Sequence, residues 1–357
     1  MQGSSVLSRL DSLTGLRAVA AFAVFFGHSL ARVEGQPRDV LQLIGSQSGM
    51  GVTFFFVLSG FVLTWSRRDG DTALPFFRRR FARIYPAYFV ALLAGLVVTV
   101  AAKGIGGQAL PFLASATLTQ SWIPDEAYYF AINGVNWSLS CEAFFYLAFP
   151  LLIGPILKMS DRARRVLQIA LVLGIFAAVT AALAMGGHVG GWFFGHFPLA
   201  RSLEFVLGIT GAIDVMRGQW RRVGFGVAGW VALGVALLAG AFGGAYANTA
   251  LPSVPFLLVI IAAANRDLSG QGTFFSNRKM VWLGEISFCF YLIHQLAIRA
   301  MSALGDASDW TGAILRILLA LTLSTLGAWA LHAWVERPME RRLRGKSRRK
   351  PPLTVSA

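Results

Sequence analysis

The stretch LTGLRAVAAFAVFFGHSL, residues 13–30, decides the fold class. Coiled as an α-helix it reaches about 27 Å, close to the thickness of a bilayer's hydrocarbon core. Apolar stretches of the same kind recur at 49–66, 84–102, 137–157, 166–186, 199–216, 223–246, 251–265, 281–300 and 312–335, the eighth of the ten being short. Lipid offers no partner to backbone N–H and C=O groups, and the alternation of barrel strands is absent, so these stretches read as helices. Composition agrees. Apolar residues make up 55% and charged residues 14% of the 357, against about 25% charged in an ordinary soluble domain. The expectation is an all-α integral membrane protein of about ten transmembrane helices.

The net charge of +15 raises the question of nucleic acid, and its placement answers it. With the N-terminus in the cytosol, 25 of the 32 Lys and Arg residues fall on the cytosolic side. Arg32, Arg38 and Lys103 fall outside, and Arg17, Arg201, Arg299 and Arg316 lie within spans. That asymmetry is the positive-inside pattern. It predicts an N-in, C-in protein of the cell membrane and leaves a nucleic-acid partner nothing to explain. The same count places residues 110–122, which are short and contain Pro111. A crossing there would turn Lys158–Arg165 outward, so the segment reads as re-entrant or interfacial.

Ser29-Leu30-Ala31 resembles a signal-peptidase site. Arg17 inside the apolar run argues against cleavage, which would also remove His28. Residues 1–336 read as one membrane domain, and 337–357 as a basic cytosolic tail without order. Cys141 and Cys289 both fall inside spans, so no disulfide or metal framework is expected.

Ionisable side chains inside a membrane are functional candidates by default, with snorkelling as the rival reading. Arg299 and Arg316 lie near outer helix ends and read as snorkellers. His332 and Glu336 are one turn apart and read as a local pair. His188 and His196 sit among glycines and read as solvated loop residues. Arg17 and His28 differ from these. Eleven positions separate them, close to three turns, so they share one face about 16 Å apart and suggest a polar tunnel. Glu142 and Ser138 are i and i+4 and face one outer cavity, with Trp137 as an interface anchor. Arg201 and Glu204, at i and i+3, read equally as a self-neutralising pair or as a site wall. His294 is the second buried imidazole, on the span that also holds Glu285. Arg79, Arg80 and Arg83 stand just before Pro86, which reads as the first turn of the third helix. A helix N-terminus with three guanidiniums makes a phosphate site.

Several of these segments resemble acyltransferase family 3, the membrane enzymes that O-acylate sugars and other exported molecules. Arg17 and His28 supply an R-x10-H pair; GVTFFFVLSGF at 51–61 and RRFARIYPAY at 79–88, closing on Tyr88, resemble the next two elements. NWSLSCEAFFY at 136–146, FPLARSLEFVLG at 197–208 and GEISFCFYLIH at 284–294 follow in the family's order. The resemblance implies a cytosolic acyl-CoA donor, acetyl-CoA foremost, as co-substrate, with no permanently bound cofactor. It implies a hydroxyl acceptor on a sugar, glycan or secreted metabolite such as a macrolide. His28 is then the general base or a transient acyl carrier, and Arg17 stabilises charge near the thioester. Glu142 orients the acceptor or the histidine, and Arg79, Arg80, Arg83 and Tyr88 bind coenzyme A. Trp137, Ser138, Arg201, Glu204 and His294 wall the acceptor side. The resemblance is to the stand-alone branch, for which no fused hydrolase-like domain is expected. A proton-coupled transporter of a polar or acylated solute is the rival from another class, disfavoured by the lack of an internal repeat. A scaffold without chemistry leaves the buried titratable groups unexplained.

Overall fold

The computed structural model describes residues 9–30, 48–67, 70, 72–242, 246–303 and 310–343. Arg32, Arg38, Arg68 and the tail beyond residue 343 therefore lie outside the described residues. Among the described residues there are helices and no strand. Each of the ten apolar stretches is a helix: α1 (Asp11–Leu30), α2 (Ser48–Trp65), α3 (Ala73–Lys103), α6 (Trp137–Lys158), α7 (Asp161–Met185), α9 (Pro198–Met216), α10 (Phe225–Phe242), α12 (Ser253–Leu268), α13 (Arg278–Ser302) and α14 (Trp310–Leu331). Shorter helices join them: α4 (Ala109–Ala116), α5 (Glu126–Tyr129), α8 (Gly187–Gly195), α11 (Ala247–Ala250) and α15 (Arg337–Leu343). Six helices are long and apolar enough to cross a membrane, namely α1, α3, α6, α7, α13 and the continuous run from α14 to Leu343.

Burial sorts the helices into a core and a shell. Every residue of α9 from Leu207 to Val215 is buried, so α9 is central. Shell helices show the reverse of a soluble surface: Leu173 on α7, Leu237 on α10 and Leu326 on α14 are 63%, 62% and 58% exposed. Aliphatic side chains facing outward in rows fit a lipid face, where burial within protein gives no further hydrophobic gain. The chain is a membrane protein.

Two inner contacts are backbone-close. A Cβ on Gly60 of α2 would lie 1.9 Å from the Phe205 carbonyl oxygen, and one on Gly208 of α9 would lie 1.9 Å from that of Val57. Only glycine at both positions lets α2 and α9 touch. Small residues drive such helix contacts in membranes, where apolar side chains gain little by leaving lipid.

Two expected boundaries move. Helix α3 starts at Ala73, not near Pro86, and Pro86 lies inside it. The proline suited to the first turn is Pro75, after the N-cap Thr72. The arginines of α3 therefore occupy its second and third turns, and a helix N-terminus lends them no dipole. Arginine is a good helix former, so the helix runs on past the apolar stretch that marks it. At the other end, residues His332–Glu336 form a π-helical turn and Arg337–Leu343 continue as helix. The Leu343 carbonyl accepts from Arg78 Nε at 2.6 Å, which ties α15 to α3. The first residues of the tail are thus ordered. The segment at 110–122 is the eight-residue α4 followed by a 3-10 turn, too short to cross.

Candidate active site

Helices α1, α2, α3, α6 and α13 line a cavity of about 120 Å³ that is open on one side. Helical spacing explains its polar wall. Ser138, Glu142 and Tyr146 stand at i, i+4 and i+8 of α6, and Arg80 and Arg83 at i and i+3 of α3, so each set projects from one face. Arg17 of α1 and Ser59 of α2 complete the wall, and Phe55, Phe56, Leu63 and Phe288 supply apolar surface. Glu142 accepts a short hydrogen bond from the Tyr146 hydroxyl and another from Ser59 at 3.4 Å. Three guanidiniums thus share the cavity with one carboxylate. A second carboxylate, Glu336, is near enough to act on Arg17, yet it is already engaged by His332 at 2.7 Å and Cys289 at 3.1 Å. Arg80 lies over the Phe76 ring at 5.7 Å, reaches Ser66 at 3.5 Å, and has a buried Nε with no hydrogen-bond partner. Guanidinium in excess of carboxylate at a half-buried site favours an anion that completes it.

Tyr291 also lines the cavity, and its hydroxyl bonds Ser138 at 2.8 Å and donates to the Val135 carbonyl at 3.3 Å. Beyond Tyr291, with ring centres 5.5 Å apart, lies His294. It is fully buried, and its Nε2 is 3.0 Å from Nδ1 of His28. The sequence reading placed Arg17 and His28 along one polar tunnel. The structure divides them: Arg17 lines the cavity, whereas neither histidine is among its walls. Phe25 packs edge-on and Phe290 stacked against the His294 ring.

Other candidates fall elsewhere. Arg79, a helix step round from Arg80, is not among the cavity walls. Tyr88 is also absent from them; it is buried, and its hydroxyl donates to the Ser115 carbonyl at 2.7 Å, which pins the residues after α4's start to α3. Trp137 packs edge-on to Phe56 behind the wall. Arg201 and Glu204 pair at 3.0 Å, both buried and both bonded to Thr53. Arg201 also lies 4.9 Å over the Phe56 ring, outside the cavity. Arg299 is no snorkeller. It donates to the Ile132 carbonyl at 2.7 Å, where Ile132 has a left-handed φ of 60°.

His188 is exposed, as expected, but the glycine-rich stretch around it is helix α8 and not a loop. His196 is not solvated. It stacks on Tyr129 at 4.7 Å and meets Phe130 and Trp137 edge-on. Burial, and then the nearby Arg201, push its imidazole down to about 4.

The His332–Glu336 pair expected from their spacing is present at 2.7 Å, and two clusters go beyond the sequence reading. Arg164, counted there as topological charge, is buried and bonds Asp214 at 2.5 Å and Asp161 at 2.8 Å. An aspartate in an apolar span was the available signal. Cys289, His332 and Glu336 bring one ligand atom each within 4.8 Å of one another, a set able to hold a metal ion. Glu336 Oε2 already receives both neighbours in this arrangement.

With this geometry in view, the comparisons with known proteins converge. Residues 10–333 match the family described as an acyltransferase domain. The chain is 37% identical to the acyltransferase MdmB of Streptomyces mycarofaciens, over 97% of this chain and 95% of that one. It is 27% identical to the peptidoglycan O-acetyltransferase OatA of Listeria monocytogenes, over 80% of this chain and 49% of that one. It is also 27% identical to nodulation protein 10 of Rhizobium leguminosarum, over 90% of this chain and 91% of that one. No solved structure matches. The match over nearly the whole length settles the family: this chain belongs to the membrane acyltransferases of acyltransferase family 3.

Proposed function

We propose that this acyltransferase takes an acyl group, acetyl foremost, from acyl-CoA at the Arg80–Arg83 end of the cavity. It passes the group to a hydroxyl of a sugar, glycan or secreted metabolite of macrolide type at the His28 end. The observation that carries the reading is the cavity itself. Excess guanidinium suits phosphates, apolar walls suit the pantetheine arm and acyl group, and Tyr291 on the wall packs against His294 of the imidazole pair. About 16 Å of helix separates Arg17 from His28, so one guanidinium cannot serve the reacting carbonyl at His28. Arg17 instead holds the donor along its arm.

In the reaction, His28 accepts the proton of the acceptor hydroxyl as that oxygen attacks the thioester carbonyl carbon. The C–S bond breaks, and the imidazolium returns its proton to the departing thiolate. An ester and free coenzyme A result.

The chain crosses the cell membrane ten times with both termini in the cytosol, which brings donor and acceptor to opposite ends of the site. Purified protein given acetyl-CoA and longer acyl-CoAs should release free thiol only when an acceptor hydroxyl is supplied. Thiol release from no donor would end the reading. Membrane-impermeant maleimide should label Gly107→Cys from outside and spare Gly70→Cys and Gly218→Cys; labelling of Gly70→Cys from outside would overturn the orientation.

A further inference from the structure

We infer that His294 is a positioning residue that holds the proton of His28 on Nδ1 and so leaves the basic lone pair on Nε2. The inference rests on His28 being the base, and it follows from the direction of two hydrogen bonds. His294 Nδ1 lies 2.7 Å from the Tyr291 carbonyl oxygen. A carbonyl only accepts, so His294 Nδ1 carries hydrogen. A neutral imidazole has one N–H, so His294 Nε2 is an acceptor. The atom 3.0 Å from it is His28 Nδ1, which must then donate. The second nitrogen of His28 is left unprotonated by the same count. A chain of one sense runs from His28 through His294 to the backbone of α13.

The surroundings hold that chain in place. The two imidazole planes are parallel within 5°. His294 is fully buried, with Phe25 edge-on and Phe290 stacked against it, and Tyr291, the last acceptor, is anchored to α6 through Ser138. The second nitrogen of a working histidine is commonly fixed this way by the bond its partner makes. The same bond helps during reaction. When His28 takes a proton at Nε2, its Nδ1–H becomes a charge-assisted donor to His294, and such bonds are about twice as strong as neutral ones. His294 therefore supports the cation as it forms, without touching the substrate.

The test separates tautomer from fold and from the identity of the base. His294→Leu removes the acceptor, while His294→Gln offers an amide oxygen to the same Nδ1–H. His294→Leu should lower kcat at least about tenfold, a part of what a general base contributes, with donor KM unchanged. His294→Gln should recover most of the loss. The 15N signals of His28 in histidine-labelled wild type should show hydrogen on Nδ1 and none on Nε2. A wild-type protein with hydrogen on Nε2 of His28 would overturn the inference, and so would a His294→Leu protein with normal kcat. If His294→Leu does not fold, the wild-type 15N signals still decide. If His28→Ala transfers acyl groups normally, the base assignment fails, and the 15N signals then judge the hydrogen-bond chain alone.

Discussion

Two sets of ionisable side chains lie within this helical bundle, one buried and one half-buried around the cavity, and they differ in their partners. Arg201–Glu204 and Arg164–Asp214 are paired, each cation meeting a carboxylate within 3.0 Å, although Arg201 Nε and Arg164 Nη1 keep no hydrogen-bond partner. In the cavity, Arg17, Arg80 and Arg83 face one carboxylate, Glu142, already bonded to Tyr146. Sequence alone gives both sets the same description, charge inside a membrane. The difference lies in the partner. Charge that is paired internally holds helices together, and charge left in excess around a cavity awaits an anion.

The sharpest way to break this comparison is at the site. His28→Ala should lower acyl transfer by about 100- to 10,000-fold, the range for loss of a general base. The variant should remain folded and bind acyl-CoA as before, measured by equilibrium binding and by steady-state thiol release. Retained transfer would remove His28 from the chemistry and move attention to His294.

The paired set should respond in the opposite way. Arg201→Ala strands Glu204 in a buried site and should cost about 3–5 kcal/mol of stability, read as a large drop in the detergent-solubilised unfolding temperature. Joining it with Glu204→Leu should restore much of that loss, because an apolar pair replaces an ion pair without penalty. Donor affinity of the double variant should match wild type. A double variant that is stable yet blind to acyl-CoA would show that the pair belongs to the site after all.

Next in size are the arginines of α3. Arg80→Ala and Arg83→Ala should each weaken acyl-CoA binding about 10- to 100-fold, the worth of one or two charge-assisted bonds. Arg83→Lys should recover part of the loss, since ammonium lacks the bidentate fork. Unfolding temperature should stay level or rise, because like charges are being removed from a crowded cavity. A fall in stability with unchanged binding would place these arginines in the paired set.

Much of the helical layout was legible because lipid imposes one rule on all backbone groups, and long apolar runs are its signature. Ends were less legible. The arginines before Pro86 interrupt the apolar run but not the helix, which starts at Ala73. Within the site, Arg17, Arg80, Arg83, Ser138 and Glu142 were readable because polarity inside a span is rare and helical spacing aligns it. The joining of His28 to His294 was not readable, since 266 positions separate them and α1–α13 packing alone brings them together. Arg164 was misjudged because a charge count treats each cytosol-facing arginine alike, and Asp214 meets it only after folding. Glycines disguised His196. They suggested a loop, whereas its surroundings are rings from α5, the turn after it and α6.

His196 also yields the smallest effect, and it extends the comparison to a third kind of buried group, one held neutral. Its imidazole sits at about 4 in the folded protein, lowered first by burial and then by Arg201, against about 6.5 in an unfolded chain. The unfolded state therefore binds more protons between those two values, and stability rises with pH across that window. The contribution is complete above about 6.5 and is lost as pH falls toward about 4. His196→Phe keeps the stack on Tyr129 and removes the titrating group. At pH 8, where the imidazole is neutral in both states, the variant should be close to wild type in stability. As pH is lowered from 7 to 5, wild type should lose stability faster than the variant, so a gap in unfolding temperature should open in the variant's favour. Parallel curves for the two proteins over that range would mean that His196 titrates as it does in water, and that the aromatic enclosure is open to solvent in the membrane-embedded protein.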